Sequence, residues 1–199
     1  MRILIYWQVI DLGKEGFERL MGIHGAPFLM GLRPACLLSF QQSKFTDFEG
    51  MLAEYQHCFQ CKDIAQCRLA EGEEYVMILF YRSAALARML WLPESAALLQ
   101  ELGYPVKGSL HDMLAELKFR ISTNMTFPHE IGLFLGYPVA DVRGFMEHHG
   151  HDYSCNGYWK VYANEAQARA LFNLYTNCSQ AFCERLARGE SFPELVQAL

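Results

Sequence analysis

Apolar and polar positions along the chain alternate in three distinct patterns. Tyr75–Tyr81, YVMILFY, is an unbroken apolar run of strand length, as expected of a strand covered on both faces, and it predicts the central strand. GYWKVY at 157–162 alternates instead. It predicts a strand with Tyr158, Lys160 and Tyr162 on one face and Trp159 and Val161 on the other. Helical spacing forms the third pattern: Leu110, Met113, Leu114, Leu117 and Ile121 make one stripe, and Ala168, Leu171, Tyr175, Cys178, Phe182 and Leu186 make another within a long helix over about 165–188.

Capping and turn residues set the boundaries. Further helices are expected around Lys14–Ile23 and from about Asp47, and Ser83 caps the helix after the central strand. Pro93 suits a first helical turn that runs on to Gly103, Ser109 with Asp112 resembles a capping box, and Gly189 ends the long helix. HGAPFLMGLRPACLLSF reads as a loop, turned by Pro27 and Pro34, feeding a short strand at Cys36–Phe40. The opening MRILIYWQVI reads as a strand or extension over 1–13, too short to span a bilayer and without the flanks of a signal peptide. LGYPV occurs at Leu102–Val106 and again at Leu135–Val139. In each copy a left-handed glycine can close a helix before proline prevents it resuming, which makes a helical corner rather than a repeat architecture. Together these elements predict an α+β or α/β fold, with about three to four strands in a small central sheet wrapped by about seven helices, in one domain over 1–199.

Composition narrows the partners. A formal charge of -5 and a pI near 5.8 leave no electrostatic footprint for nucleic acid, and no basic run marks a membrane surface. Small molecules or proteins are the expected partners. Seven cysteines, an odd number, point to free thiols in a reducing cytoplasm. Cys58, Cys61 and Cys67 with His57 invite a metal reading, but a structural zinc site usually draws on two separated pairs, and no second C-x-x-C is present. HHGH at 148–151 reads as a helix end, where cationic histidines suit the dipole.

No nucleotide, zinc-protease, hydrolase or c-type haem motif occurs, so no reaction is assigned from motifs. The candidate ligand-binding residues are His24, Tyr81, Arg82, His129, Glu130 and Lys160. In FPHEIGLFLGYP, Pro128 places His129 and Glu130 in a first helical turn. There they serve either helix capping and packing or a pocket in which imidazole acts as acid, base or ligand. Arg82, just beyond the central strand beside Tyr81, holds either a ligand's carboxylate or phosphate or a surface acid. His24 is a cap or a ligand, and Lys160 either binds an anion or extends over its tyrosines into water.

In their order, HGAPFLMGLRPACLLSF, FYR, FPHEIGLFLGYPVADVRGF and GYWKVY resemble the bacterial domain-of-unknown-function family 3793, from about Phe17 onward. The resemblance implies a protein mainly of anaerobic bacteria with no established activity. It places His24, Pro27, Tyr81, Arg82, His129, Glu130, Tyr158, Trp159, Lys160 and Tyr162 in the family's characteristic segments and leaves Cys58, Cys61 and Cys67 outside them. It also implies an association with flavodoxin and iron acquisition, hence a haem, iron or redox-linked role and a redox protein partner.

The leading expectation is a cytosolic binding protein or enzyme whose pocket, lined by His24, Tyr81, Arg82 and His129, takes a small anionic ligand such as a haem-type cofactor. The alternative is a helix-turn-helix-like interaction or regulatory module at 128–150. Its second helix carries Asp141 and Glu147 and has Arg143 as its only fixed positive charge, which favours a protein over DNA.

Overall fold

The computed structural model describes residues 13–123 and 127–198, so the expected strand in MRILIYWQVI lies outside the described residues. The fold is α+β, with a three-stranded antiparallel sheet and a separate two-stranded hairpin. The chain divides into two compact units: the segment up to Arg82 together with Tyr175 onward, and Ser83–Leu174.

In the first unit, α1 (Gly13–Leu20) passes directly into a π-helical turn, Met21–Gly25, and then α2 (Ala26–Leu29). The segment read as a loop after His24 is therefore helical as far as Leu29. Pro27 falls in the first turn of α2, where its missing N–H costs nothing, so it starts a helix rather than a loop. Strand β1 (Ala35–Gln41) extends the expected Cys36–Phe40 by one residue at each end. A 3-10 turn at Gln42–Lys44 leads towards α3 (Phe48–Glu54), whose N-cap Asp47 accepts a hydrogen bond from the Gly50 amide at 2.8 Å. α4 (Gln56–Cys61) and β2 (Ala65–Glu71) follow, and then β3 (Tyr75–Tyr81), which has the boundaries its apolar run predicts.

β3 is central, in the order β1-β3-β2, with Leu38 opposite Ile78 and Cys67 opposite Leu79. Its unbroken apolar run has a direct cause. Val76, Ile78 and Phe80 enter a core with Phe17, Phe40 and Phe59, while Leu79 on the opposite face is also fully buried. Phe182 and Phe192 join the same core from the C-terminal segment, their rings 5.9 Å apart.

The second unit contains α5 (Ser83–Leu90), α6 (Pro93–Glu101), α7 (Leu110–Thr123), α8 (Ile131–Phe134), α9 (Val139–Glu147), and β4 (Cys155–Asn156) paired with β5 (Lys160–Val161). The long helix α10 (Glu165–Ala187) begins here and ends at Gly189, which takes φ 89°. A short α11 (Phe192–Leu195) follows in the first unit. The capping box before α7 is formed as expected: the Ser109 amide donates to Asp112 Oδ2 at 2.7 Å, and the Asp112 amide donates to Ser109 Oγ at 3.3 Å.

Both LGYPV copies close a helix in the same way. Gly103 and Gly136 take φ of 82° and 77°, and the amide of the following tyrosine returns to the carbonyl five residues back, Leu99 or Gly132. They differ afterwards, because α9 starts at Val139, the last residue of the second copy, whereas α7 starts only at Leu110, four residues past the end of the first. α8 packs on α5 and α9, and α9 packs on α6 and β5. Among the described residues no helix is long and apolar enough to cross a membrane.

Candidate functional site

The six sequence candidates fall in both units. In the first, the π-helical turn carries His24, whose half-buried ring makes no hydrogen bond or ion pair with a described residue. Burial lowers its pKa and so favours the neutral ring. A turn of this type is rare and recurs at functional sites. Tyr81 ends β3, and burial raises the pKa of its phenol, with Cys67 adding to the shift.

Arg82 is neither on the surface nor paired with a surface acid. It is 1% exposed, and its guanidinium donates to the carbonyls of Lys62, Leu29 and Gln197, the last two at 3.1 and 2.5 Å, while its backbone N–H donates to Pro34 O at 3.0 Å. Both terminal nitrogens are thus engaged in fastening the strand end to α2, the end of α4 and the C-terminal segment.

In the second unit, His129 and Glu130 precede α8 instead of occupying its first turn. The amides of Gly132 and Leu133 reach back only three residues, to His129 O and Glu130 O, so the chain is more tightly wound here than an α-helix. Tight winding turns the two side chains apart. Glu130 is buried, accepts from Tyr104 Oη at 3.1 Å and pairs with Arg120 Nη1 at 3.3 Å; Arg120 in turn donates to Glu116 and to Leu102 O. Burial raises the Tyr104 pKa, and the Glu130 carboxylate raises it further, so the phenol remains a donor.

This geometry gives Glu130 a place in a buried polar network. Glu130→Ala, which strands the Tyr104 hydroxyl and leaves Arg120 with Glu116 as its one carboxylate, is expected to cost about 2–3 kcal/mol in chemical unfolding. A variant as stable as wild type would show that the network contributes nothing to the fold.

His129 lies on the other side of that turn. Its ring meets Phe145 edge to face with centroids 4.8 Å apart, and Lys160 Nζ lies 5.7 Å from the same Phe145 centroid. Although much of His129 is open to solvent, the burial of its ring lowers its pKa, and nearby His149 acts in the same direction while Glu130 opposes both. Lys160 donates to Gly150 O at 2.5 Å and sits 4.7 Å from the Tyr153 centroid. The structure therefore brings His129 and Lys160 to one aromatic side chain and sends Glu130 elsewhere.

Asp141 emerges as an organising residue from the structure. The sequence counts it among the acidic charges of the second helix at 128–150, but it is 3% exposed and accepts from Trp159 Nε1 at 2.7 Å, the Tyr162 amide at 2.7 Å and the Ala163 amide at 3.0 Å. It thereby joins α9 to the hairpin. Gly144, one turn along, permits the approach: a Cβ there would lie 2.6 Å from the Tyr162 side chain. Sequence offers one signal for this joint, since Asp141 and Gly144 are three apart and so share one face of the helix. Arg143 points elsewhere and pairs with Glu101 at 3.1 Å.

The thiols form no disulfide among the described residues, and no cluster of three or more His, Cys, Asp or Glu side chains there is arranged to hold a metal ion. Cys58 and Cys61 lie on α4, whereas Cys67 belongs to β2. In HHGH, His148 stacks on Tyr162 with centroids 5.5 Å apart and lies 3.6 Å from Asp152, and His149 takes φ 50° beyond the helix end.

No curated protein and no solved structure gives a significant match to the chain. A family model described as a protein of unknown function, DUF3793, matches residues 21–196. That span takes in the π-helical turn, both sheets and every candidate residue above, and the chain belongs to this family.

Proposed function

We propose that this is a cytosolic protein that binds a small anionic ligand, a carboxylate or phosphate, at the cluster of Lys160, His129, Phe145 and Tyr153 in the second unit. One observation carries the reading: the Lys160 ammonium is held by the Gly150 carbonyl and two aromatic rings, yet no carboxylate of a described residue pairs with it. An ammonium fixed in this way keeps donors for an incoming anion and loses little side-chain entropy on binding it. Disulfide-free cysteines fit a reducing compartment.

A haem-type cofactor is the finer form of the reading. Its propionates are carboxylates, and burial favours the neutral, iron-ligating form of His129 beside Lys160. Titration calorimetry with phosphate, citrate and haem tests it. Lys160→Met is expected to weaken binding by about tenfold or more while leaving the circular dichroism unchanged, because it removes a charge-assisted contact and keeps the aliphatic stem. Equal affinity in the variant, or no binding of any of these anions to wild type, would sink the proposal.

The corner α8–Gly136–α9 supports a second reading, a helix-turn-helix-like module for protein interaction or regulation. With Arg143 engaged by Glu101, α9 offers phosphates no unpaired positive charge, and exposed Glu147 would repel them.

A further inference from the structure

We propose that Cys58 and Cys61 on α4 form a redox-active dithiol that a peroxide converts to an intrahelical disulfide, with His57 accepting the Cys61 thiol proton. Cys61 is the exposed member of the seven cysteines; Cys36 and Cys155 are buried and the rest are half-buried. Its Sγ lies 3.6 Å from His57 Nε2, within hydrogen-bonding reach of a sulfur, because residues four apart share a helix face. Imidazole is the side chain best suited to take a thiol proton near neutral pH.

Cys58 is one turn back, three residues from Cys61. Helical geometry sets their Cα atoms about 5 Å apart, inside the roughly 4.4–6.8 Å that a disulfide spans. The Cβ atoms must approach a little further, and the end of α4 is where that is easiest. The Lys62 amide is already shared between Cys58 O and Phe59 O, at 3.2 and 3.1 Å, and the helix ends at Cys61. Burial raises the Cys58 pKa, with Lys62 lowering it and the proximity of Cys61 raising it again. That suits Cys58 to the resolving role rather than the attacking one.

The chemistry balances with one peroxide. The Cys61 thiolate attacks one oxygen of the peroxide, an S–O bond forms as O–O breaks, and the released hydroxide takes the proton held by His57 and leaves as water. Sulfur is oxidised to the sulfenic acid and the peroxide is reduced. Cys58 then attacks the sulfenic sulfur, S–S forms as S–O breaks, and the departing hydroxide leaves as a second water with the Cys58 proton. Two thiols and one hydrogen peroxide give a disulfide and two waters.

The test uses the reduced full chain, one equivalent of hydrogen peroxide, and non-reducing peptide mapping by mass spectrometry. The expected product links Cys58 to Cys61 with the loss of two hydrogens. Cys58→Ser should stop at a Cys61 sulfenic acid that dimedone traps, Cys61→Ser should give neither product, and His57→Ala should slow the reaction by about tenfold, because the base beside the Cys61 thiol is removed. Serine nearly matches cysteine in shape and neither thiol is fully buried, so both serine variants should melt close to wild type. A wild-type chain that pairs other cysteines, or that carries Cys61 to the sulfinic acid without the link, overturns the dithiol. An unchanged rate in His57→Ala overturns the role given to His57.

Discussion

Arg82→Met is expected to destabilise the first unit by about 2–4 kcal/mol, read from hydrogen exchange in β3, whose amides open only with the core. Methionine replaces much of the buried volume, so the loss isolates the guanidinium's polar role. The carbonyls of Lys62 and Gln197 lose the guanidinium, that of Leu29 keeps only the Gln197 amide at 3.1 Å, and a buried carbonyl left unpaired costs about 1–3 kcal/mol. Against this runs the relief of returning a buried cation to water, since burial already lowers the Arg82 pKa. The carbonyl term wins because it draws on acceptors in three separate segments. Lysine should not rescue the variant, because one ammonium on a flexible stem cannot present the planar fork that reaches all three. β3 exchange as slow in the methionine variant as in wild type would show that desolvation cancels the bonds.

A comparable loss, about 3–5 kcal/mol, is expected for Asp141→Ala in the second unit, followed by near-ultraviolet circular dichroism during urea unfolding. The carboxylate accepts from an indole N–H and two amides, all at 3.0 Å or less, so its removal strands three donors where water has little access. An asparagine side chain would keep one acceptor oxygen, and Asp141→Asn should accordingly recover part of the loss. Trp159 is stacked on Tyr137 at 4.8 Å and meets Phe172 edge-on at 4.6 Å, so freeing its N–H disturbs an aromatic cluster as well as a hydrogen bond. An alanine variant within about 1 kcal/mol of wild type would mean that the hairpin stays seated without its carboxylate anchor.

These two residues sharpen what a ligand-binding assay has to separate. Arg82 and Glu130 are chemically suited to hold a ligand, but both terminal nitrogens of Arg82 and Oε1 of Glu130 are already committed within the fold, so their variants should report first as unstable. Among the described residues, Lys160 gives one N–H to Gly150 O and has no carboxylate partner, the His129 ring is engaged only by Phe145, and their variants should report first as weak binders.

Elements whose signal is local were legible in the chain before any fold was known. β3 followed from seven consecutive apolar residues, the starts of α3 and α7 from Asp47 and from Ser109 with Asp112, and the two helix stops from Gly103 and Gly136, since caps and left-handed glycines act within a few residues of themselves. The burial of Trp159 and Val161 beside the half-buried Tyr158, Lys160 and Tyr162 was legible for the same reason. Strand β2 was not. It is an edge strand in which only Leu69 is buried, with a bulge between Arg68 and Ala70, so its pattern never alternates cleanly. Which polar residue does what was settled only by contacts between distant parts of the chain. Arg82 meets carbonyls 20, 53 and 115 positions away, and Asp141 meets donors 18 to 22 positions away. A charged side chain has the same identity whether it holds a ligand or the chain itself. The difference lies in which distant backbone groups the fold leaves needing a partner, and residue type and spacing do not encode that.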